Sequence, residues 1–199
     1  MEIAASQIKQ LRETTGAGIL DCRKALEQTQ GDMDKAAAIL REKGLAAAAK
    51  RADRVTKDGI IELYTHGGGR VGVMVEVNCE TDFVARTEEF RHFAHEVALQ
   101  IAASSPRWLD IANIPAEVVE QEKTDAAARA KADGKPEPVI EKIVAGRLDK
   151  FYQDACLLQQ PYIRDETIKV GDLIKQTIAS TKENVTIRRF ARWELGAEE

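Results

Sequence analysis

With 199 residues, 44% hydrophobic and 31% charged, the chain has ordinary globular composition and a length suited to one or two domains. A net charge of −4 argues against a protein whose main work is coating nucleic-acid phosphates, and no run approaches the roughly 18 apolar residues of a membrane span. The charge is uneven: residues 1–57 hold 11 Lys and Arg against 8 Asp and Glu, the remainder 18 against 25, which hints at separate modules.

The N-terminal stretch Met1 to Lys9 lacks the basic start and apolar run of a signal peptide, so a cytoplasmic protein is expected. Cys22, Cys79 and Cys156 are too few and too far apart for a disulfide framework or a C-x-x-C metal site, and reduced thiols suit that compartment. Three short amphipathic helices are predicted within residues 1–43. Ile8 and Leu11, then Ile19, Cys22 and Leu26, then Met33, Ala37 and Leu40 recur at helical spacing. Gly16 and Gly18 break the first two apart, Gly31-Asp32 supplies a turn and N-cap, and Gly44 stands where a helix end takes a left-handed residue. Residues 45–54 are helix-prone without a broad apolar stripe and read as a connector.

At Gly59 the period becomes two. Ile61, Leu63 and Thr65 alternate with Glu62, Tyr64 and His66, and Val71, Val73, Val75 and Val77 mark a second strand. Gly67-Gly68-Gly69 reads as the hairpin loop, because no helix-opening Gly-Lys-Ser/Thr follows to make a phosphate cradle. Beyond Thr87 a helix carries Phe90, Phe93, Val97 and Ile101 on one face until Pro106. Pro115 opens a polar helix ending near Asp133-Gly134. From Pro136 a longer one carries Ile140, Val144, Leu148, Phe151, Ala155 and Leu158 as the strongest core-facing stripe. Leu173, Ile174 and Ile178 mark a short helix. A last strand then alternates Val185, Ile187, Ala191, Trp193 and Leu195 with Thr186, Arg188, Phe190, Arg192 and Glu194.

The fold class is therefore α+β: residues 1–54 as a three-helix module with connector, and residues 55–199 as a core with a small antiparallel three-stranded sheet and helices. One sheet face lacks a cover. A sheet from a second copy would bury it, which argues for a homodimer; the alternative is that the first module folds back over it.

No P-loop, H-E-x-x-H, G-x-S-x-G or EF-hand pattern occurs, and nothing nominates a general acid and base, so neither an enzyme nor a cofactor is expected. His92 and His95 are spaced to share a metal but no third ligand is suggested; a solvated or rim position is the other reading. An RNA-binding role for Lys50, Arg51 and Arg54 lacks interleaved aromatics. A helix- or peptide-binding adaptor would account for residues 1–44 alone.

Asn78-Cys79-Glu80-Thr81-Asp82-Phe83-Val84-Ala85-Arg86 places an aromatic beside an acid between a strand and a helix. On local grounds Thr81 or Asp82 caps a short helix while Phe83 and Val84 fold under it. Yet this segment closely resembles the hallmark of the elongation factor Ts family, as does the run from Leu11 to Leu26. So do Gly31-Asp32, Leu40 to Gly44, Lys135-Pro136-Glu137, Gly146-Arg147-Leu148 and Glu183 to Phe190, in the family's order and spacing.

The resemblance implies a ubiquitin-associated-like docking domain followed by a core domain, in the short form with one core half that pairs as a homodimer. It also implies a guanine nucleotide exchange factor whose partner is the GTPase elongation factor Tu; from the charge and the lack of an apolar span, no direct nucleic-acid or membrane partner is expected. Thr81, Asp82, Phe83 and Val84 would intrude beside the partner's Mg²⁺ site, Phe83 as a wedge and Asp82 as the polar contact. Arg12, Ile19 and Leu20 match docking positions, although many relatives have two methionines where this chain has Ile19 and Leu20. Because Ile19 is in phase with Cys22 and Leu26, we expect Ile19 in the core and Leu20 at the contact.

Overall fold

The computed structural model describes residues 3–197; Met1 and Glu2, which open the stretch read for a signal peptide, lie outside the described residues, as do Glu198 and Glu199. The fold is α+β. Its contacts gather into two compact units, Met1–Ala98 with Asp172–Glu199 and Leu99–Gly171, so the boundary after residue 54 falls inside the first.

That unit opens with helices α1 (Ala5–Thr15), α2 (Ile19–Gln28) and α3 (Met33–Ala49), which bury Leu11, Cys22, Ala25, Leu26, Ala36 and Leu40 together. Local chemistry sets their ends. Gly16 closes α1 at φ +66°, and its N–H donates to the Arg12 carbonyl at 2.8 Å. Asp32 caps α3 by accepting from the Lys35 N–H at 3.0 Å.

Gly44 does not end α3, contrary to the sequence reading: the helix runs through it to Ala49 and absorbs half of the expected connector. A Cβ at Gly44 would stand 3.1 Å from the Cβ of Ala179, in α8 (Val170–Thr181). The glycine serves close helix approach rather than a left-handed turn.

The sheet is antiparallel, with β2 (Val71–Cys79) central between β1 (Asp58–His66) and β5 (Thr186–Glu194). On its inner face Glu62 and Tyr64 meet α5 (Glu88–Ser104), where His95 Nδ1 lies 3.0 Å from Glu62 Oε1 and edge-on to the Tyr64 ring. Val73, Val75 and Val77 are paired with Tyr64, Glu62 and Ile60, share that face and are buried. The outer face presents Ile61, Leu63, Met74 and Trp193, all exposed, so the three-helix module does not cover them.

The strict alternation read into the last strand fails at one point. Val77 pairs with Ile187 and Glu76 with Arg189, leaving Arg188 as an extra residue in a β-bulge. Ile187 and Phe190 therefore share the inner face, and Ala191 and Trp193 turn outward, paired with Met74 and Gly72. Arg188 and Arg189 both reach Glu76, at 3.3 and 2.7 Å, and the Arg189 hydrogen bond above all holds that carboxyl below its ordinary value.

In the second unit, α6 (Ala116–Ala132) and α7 (Glu137–Ala155) form a hairpin about the turn at Gly134. Ile140 and Ala155 of α7 are buried, but Val144, Leu148 and Phe151 are only half-buried. The stripe expected to face a core lies chiefly against one partner helix. A short hairpin of β3 (Pro161–Tyr162) and β4 (Asp165–Lys169) lies where the periodicity carries no strand signal. Its entry is held by buried Gln100 and Gln160, whose side chains bond each other at 3.1 Å, while Gln100 also accepts from the Ile163 N–H at 2.9 Å.

Candidate functional site

Where β2 ends, Cys79 is the last buried residue of the strand, and its Sγ donates to the Thr81 carbonyl at 3.1 Å. Burial, then the nearby Glu183 charge, push this thiol up to about 11. Thr81 is extended (φ −133°, ψ 155°) and caps a single helical turn, α4 (Asp82–Ala85), its hydroxyl accepting from the Val84 N–H at 3.4 Å. Ala85 is the buried residue of that turn. Phe83 precedes it by two positions, about 200° around a helix, and is therefore aimed away from the core. It is 78% exposed.

The local expectation is half met: Thr81 does cap the helix, but only Val84 is partly covered while Phe83 stands out. Asp82 is half exposed and paired with Arg86 at 2.8 Å, one helical turn on. Thr87 braces the far end, donating to the Val84 carbonyl at 2.8 Å and accepting from the Phe90 N–H at 3.2 Å to cap α5. A large aromatic thus stands exposed on its mount, a turn hydrogen-bonded at both ends.

Two residues to which sequence reasoning gives no role complete the mount. Glu183 accepts from the backbone N–H groups of Glu80 and Thr81 at 3.1 and 3.0 Å and from the Thr81 hydroxyl at 2.6 Å. Asn184 donates its side-chain amide to the Ala52 and Arg54 carbonyls at 3.3 and 2.8 Å, and its N–H to Glu80 Oε1 at 2.6 Å. These partners are about a hundred residues apart in sequence, where no local pattern reports them.

The docking candidates lie around the turn from α1 to α2. Arg12 is exposed on α1. Leu20 is 71% exposed, and Ile19, expected in the core, is 56% exposed as well. Ile19 occupies the first position of α2, one turn ahead of Cys22 where the buried stripe begins, so helical phase alone does not bring it under cover. Both side chains face solvent. Elsewhere, His92 is exposed, and no group of three or more His, Cys, Asp or Glu among the described residues could hold a metal ion. No helix among them is long and apolar enough to cross a membrane.

Residues 2–197 match the family described as Elongation factor TS. A protein named Elongation factor Ts from Caldanaerobacter subterraneus subsp. tengcongensis is 56% identical over 98% of this chain and 97% of its own length. Those of the same name from Carboxydothermus hydrogenoformans and Coprothermobacter proteolyticus are 54% and 53% identical, over 98% of this chain and 89% and 100% of their own lengths.

Proposed function

Since this chain belongs to the elongation factor Ts family, a family of translation elongation factors, we propose that it is the guanine nucleotide exchange factor of elongation factor Tu. Tight GDP binding to a P-loop GTPase depends on backbone amides around the phosphates and on Mg²⁺ bridging them to side chains. Phe83 enters between two helices of the partner as an apolar wedge, with Thr81 and Val84 beside it. Asp82 leaves Arg86 to make the polar contact near the Mg²⁺ site. Arg12, Ile19 and Leu20 grip the partner's nucleotide-binding domain. Exchange factor and GDP each weaken the other's binding, and GTP then displaces the factor. No chemical bond is made or broken by this chain, and the setting is the cytoplasm.

The observation that carries this reading is Phe83, 78% exposed on a turn hydrogen-bonded at both ends. Release of fluorescent GDP from elongation factor Tu tests it: micromolar protein should accelerate release, and an unchanged rate would reject the reading.

In the same reading residues 1–54 act as a ubiquitin-associated-like docking domain and residues 55–199 as the core and dimerisation domain. The outer sheet face supports a homodimer: Ile61, Leu63 and Trp193 are each more than half exposed, and a second copy of the face would bury them. Sedimentation should give twice the 22.0 kDa chain mass; a monomer at all cellular concentrations would remove the dimer.

A further inference from the structure

Three residues between α8 and β5 contact α2, the start of the Thr81–Val84 turn and the chain leaving the three helices. Lys182 has φ +65°, a left-handed conformation that L side chains rarely adopt, and it turns the chain off the end of α8. Its ammonium lies 3.8 Å from Asp21, the neighbour of Leu20 on α2. The carboxylate of Glu183 takes three hydrogen bonds from Glu80 and Thr81, next to Phe83. Asn184 holds the carbonyls of Ala52 and Arg54, the chain leaving the docking helices, and Arg54 Nη1 reaches Glu80 Oε1 at 3.3 Å. Farther along the same helix, Ser180 and Ala179 sit against Gly16 and Gly44 of the module.

We propose that Glu183 and Asn184 are positioning residues for nucleotide exchange, holding the Thr81–Val84 turn and the chain leaving the docking helices in one fixed register. This rests on the exchange reading above. A wedge works only if it is held still against the grip that opposes it, because any freedom left in the turn must be given up on binding. Glu183 has the chemistry to hold it. A carboxylate that accepts two successive backbone N–H groups fixes the direction in which the chain leaves the strand, and its third bond orients the hydroxyl that caps α4. Asn184 reads backbone carbonyls, so it fixes the path of the connector whatever its side chains are. Neither residue needs to touch the partner.

The test is stimulated GDP release from elongation factor Tu over a range of factor concentrations, giving a maximal rate and a half-saturating concentration. Glu183→Ala should lower the maximal rate about tenfold with little change in half-saturation, since the grip is intact and the wedge is loose. Glu183→Gln should restore most of the rate, because its amide oxygen can accept from both N–H groups while its NH₂ donates to the Thr81 hydroxyl. In a Phe83→Ala background, Glu183→Ala should cost less than about twofold more, because a mount without a wedge has nothing to hold. Asn184→Ala should instead raise half-saturation about threefold and keep the maximal rate.

A Glu183→Ala loss that multiplies with that of Phe83→Ala, or that Gln does not rescue, would overturn the proposal and leave Glu183 a general stabiliser of the fold. If Glu183→Ala does not fold, Glu183→Asp withdraws the carboxylate by one methylene and carries the same test, with an expected loss of about threefold and the same criteria. An inert wild-type protein would remove the exchange reading itself and the positioning role with it.

Discussion

Replacing Phe83 by alanine separates an interface anchor from a core residue more cleanly than any other single change. Complete burial of a phenylalanine side chain is worth about 1.5–3 kcal/mol. With 78% of Phe83 exposed, only about a fifth of that is realised in the free fold, so truncation should cost about 0.5 kcal/mol of stability. A core phenylalanine would cost about 3–5 kcal/mol. As an anchor closed over by the GTPase, the ring should contribute about 2 kcal/mol or more to the coupling, which is roughly thirtyfold in stimulated GDP release. The assay is paired on the same preparation, with thermal unfolding of the free protein and fluorescent GDP release from elongation factor Tu. An intact melt with lost exchange is the expected result. A large fall in melting temperature, or unchanged exchange, would refute the reasoning. Asp82→Ala should lose less, because a polar contact nets about 1 kcal/mol.

Leu20→Asp should weaken binding to the GTPase about tenfold or more while leaving the melt in place, since the side chain is 71% exposed; calorimetric titration and a thermal melt check the two. Trp193→Glu, on the outer sheet face, should turn a sedimenting dimer into a monomer that still melts cooperatively. Gly44→Val should cost about 1–3 kcal/mol in urea denaturation, because its Cβ would already press on the Cβ of Ala179 and the side chain adds two methyls to that helix contact. Cys79 and Cys156, both raised to about 11 by burial, should resist alkylation in the native protein at pH 8 and react on unfolding. Their folded-state values lie above the unfolded value near 9, so the stability they contribute is complete below pH 9 and is lost as pH rises towards 11.

The parts of this fold legible in sequence are those whose causes are local. Gly16 and Asp32 end and begin helices by contacts within a few residues, and the valines of β2 announce their buried face by alternation. Phe83 is legible as a candidate because it belongs to a recognisable segment. Its outward direction is not, because that depends on Ala85 taking the inward position of a one-turn helix. Gly44 misleads because a glycine required by a helix more than a hundred residues away looks the same in sequence as one required by a turn. Glu183 and Asn184 escape for the same reason: their partners, Thr81 and Ala52, are linked to them only by the closed fold. Ile19 shows the opposite error, a helical phase that is correct but begins one turn too early to be covered.

The extra residue in β5 gives the sheet an unusual kind of specificity. From Arg189 onward, which side chains look outward is decided by Arg188 being left out of the ladder, since one step along a strand reverses its faces. Were Arg188 taken into the ladder as a regular strand residue, each later residue would move one place along β2, and Phe190 and Arg192 would face solvent where Ala191 and Trp193 do now, with the indole turned inward. The surface is therefore selected by the one residue that the ladder leaves out, since the same side chains in an unbroken ladder would present the opposite set.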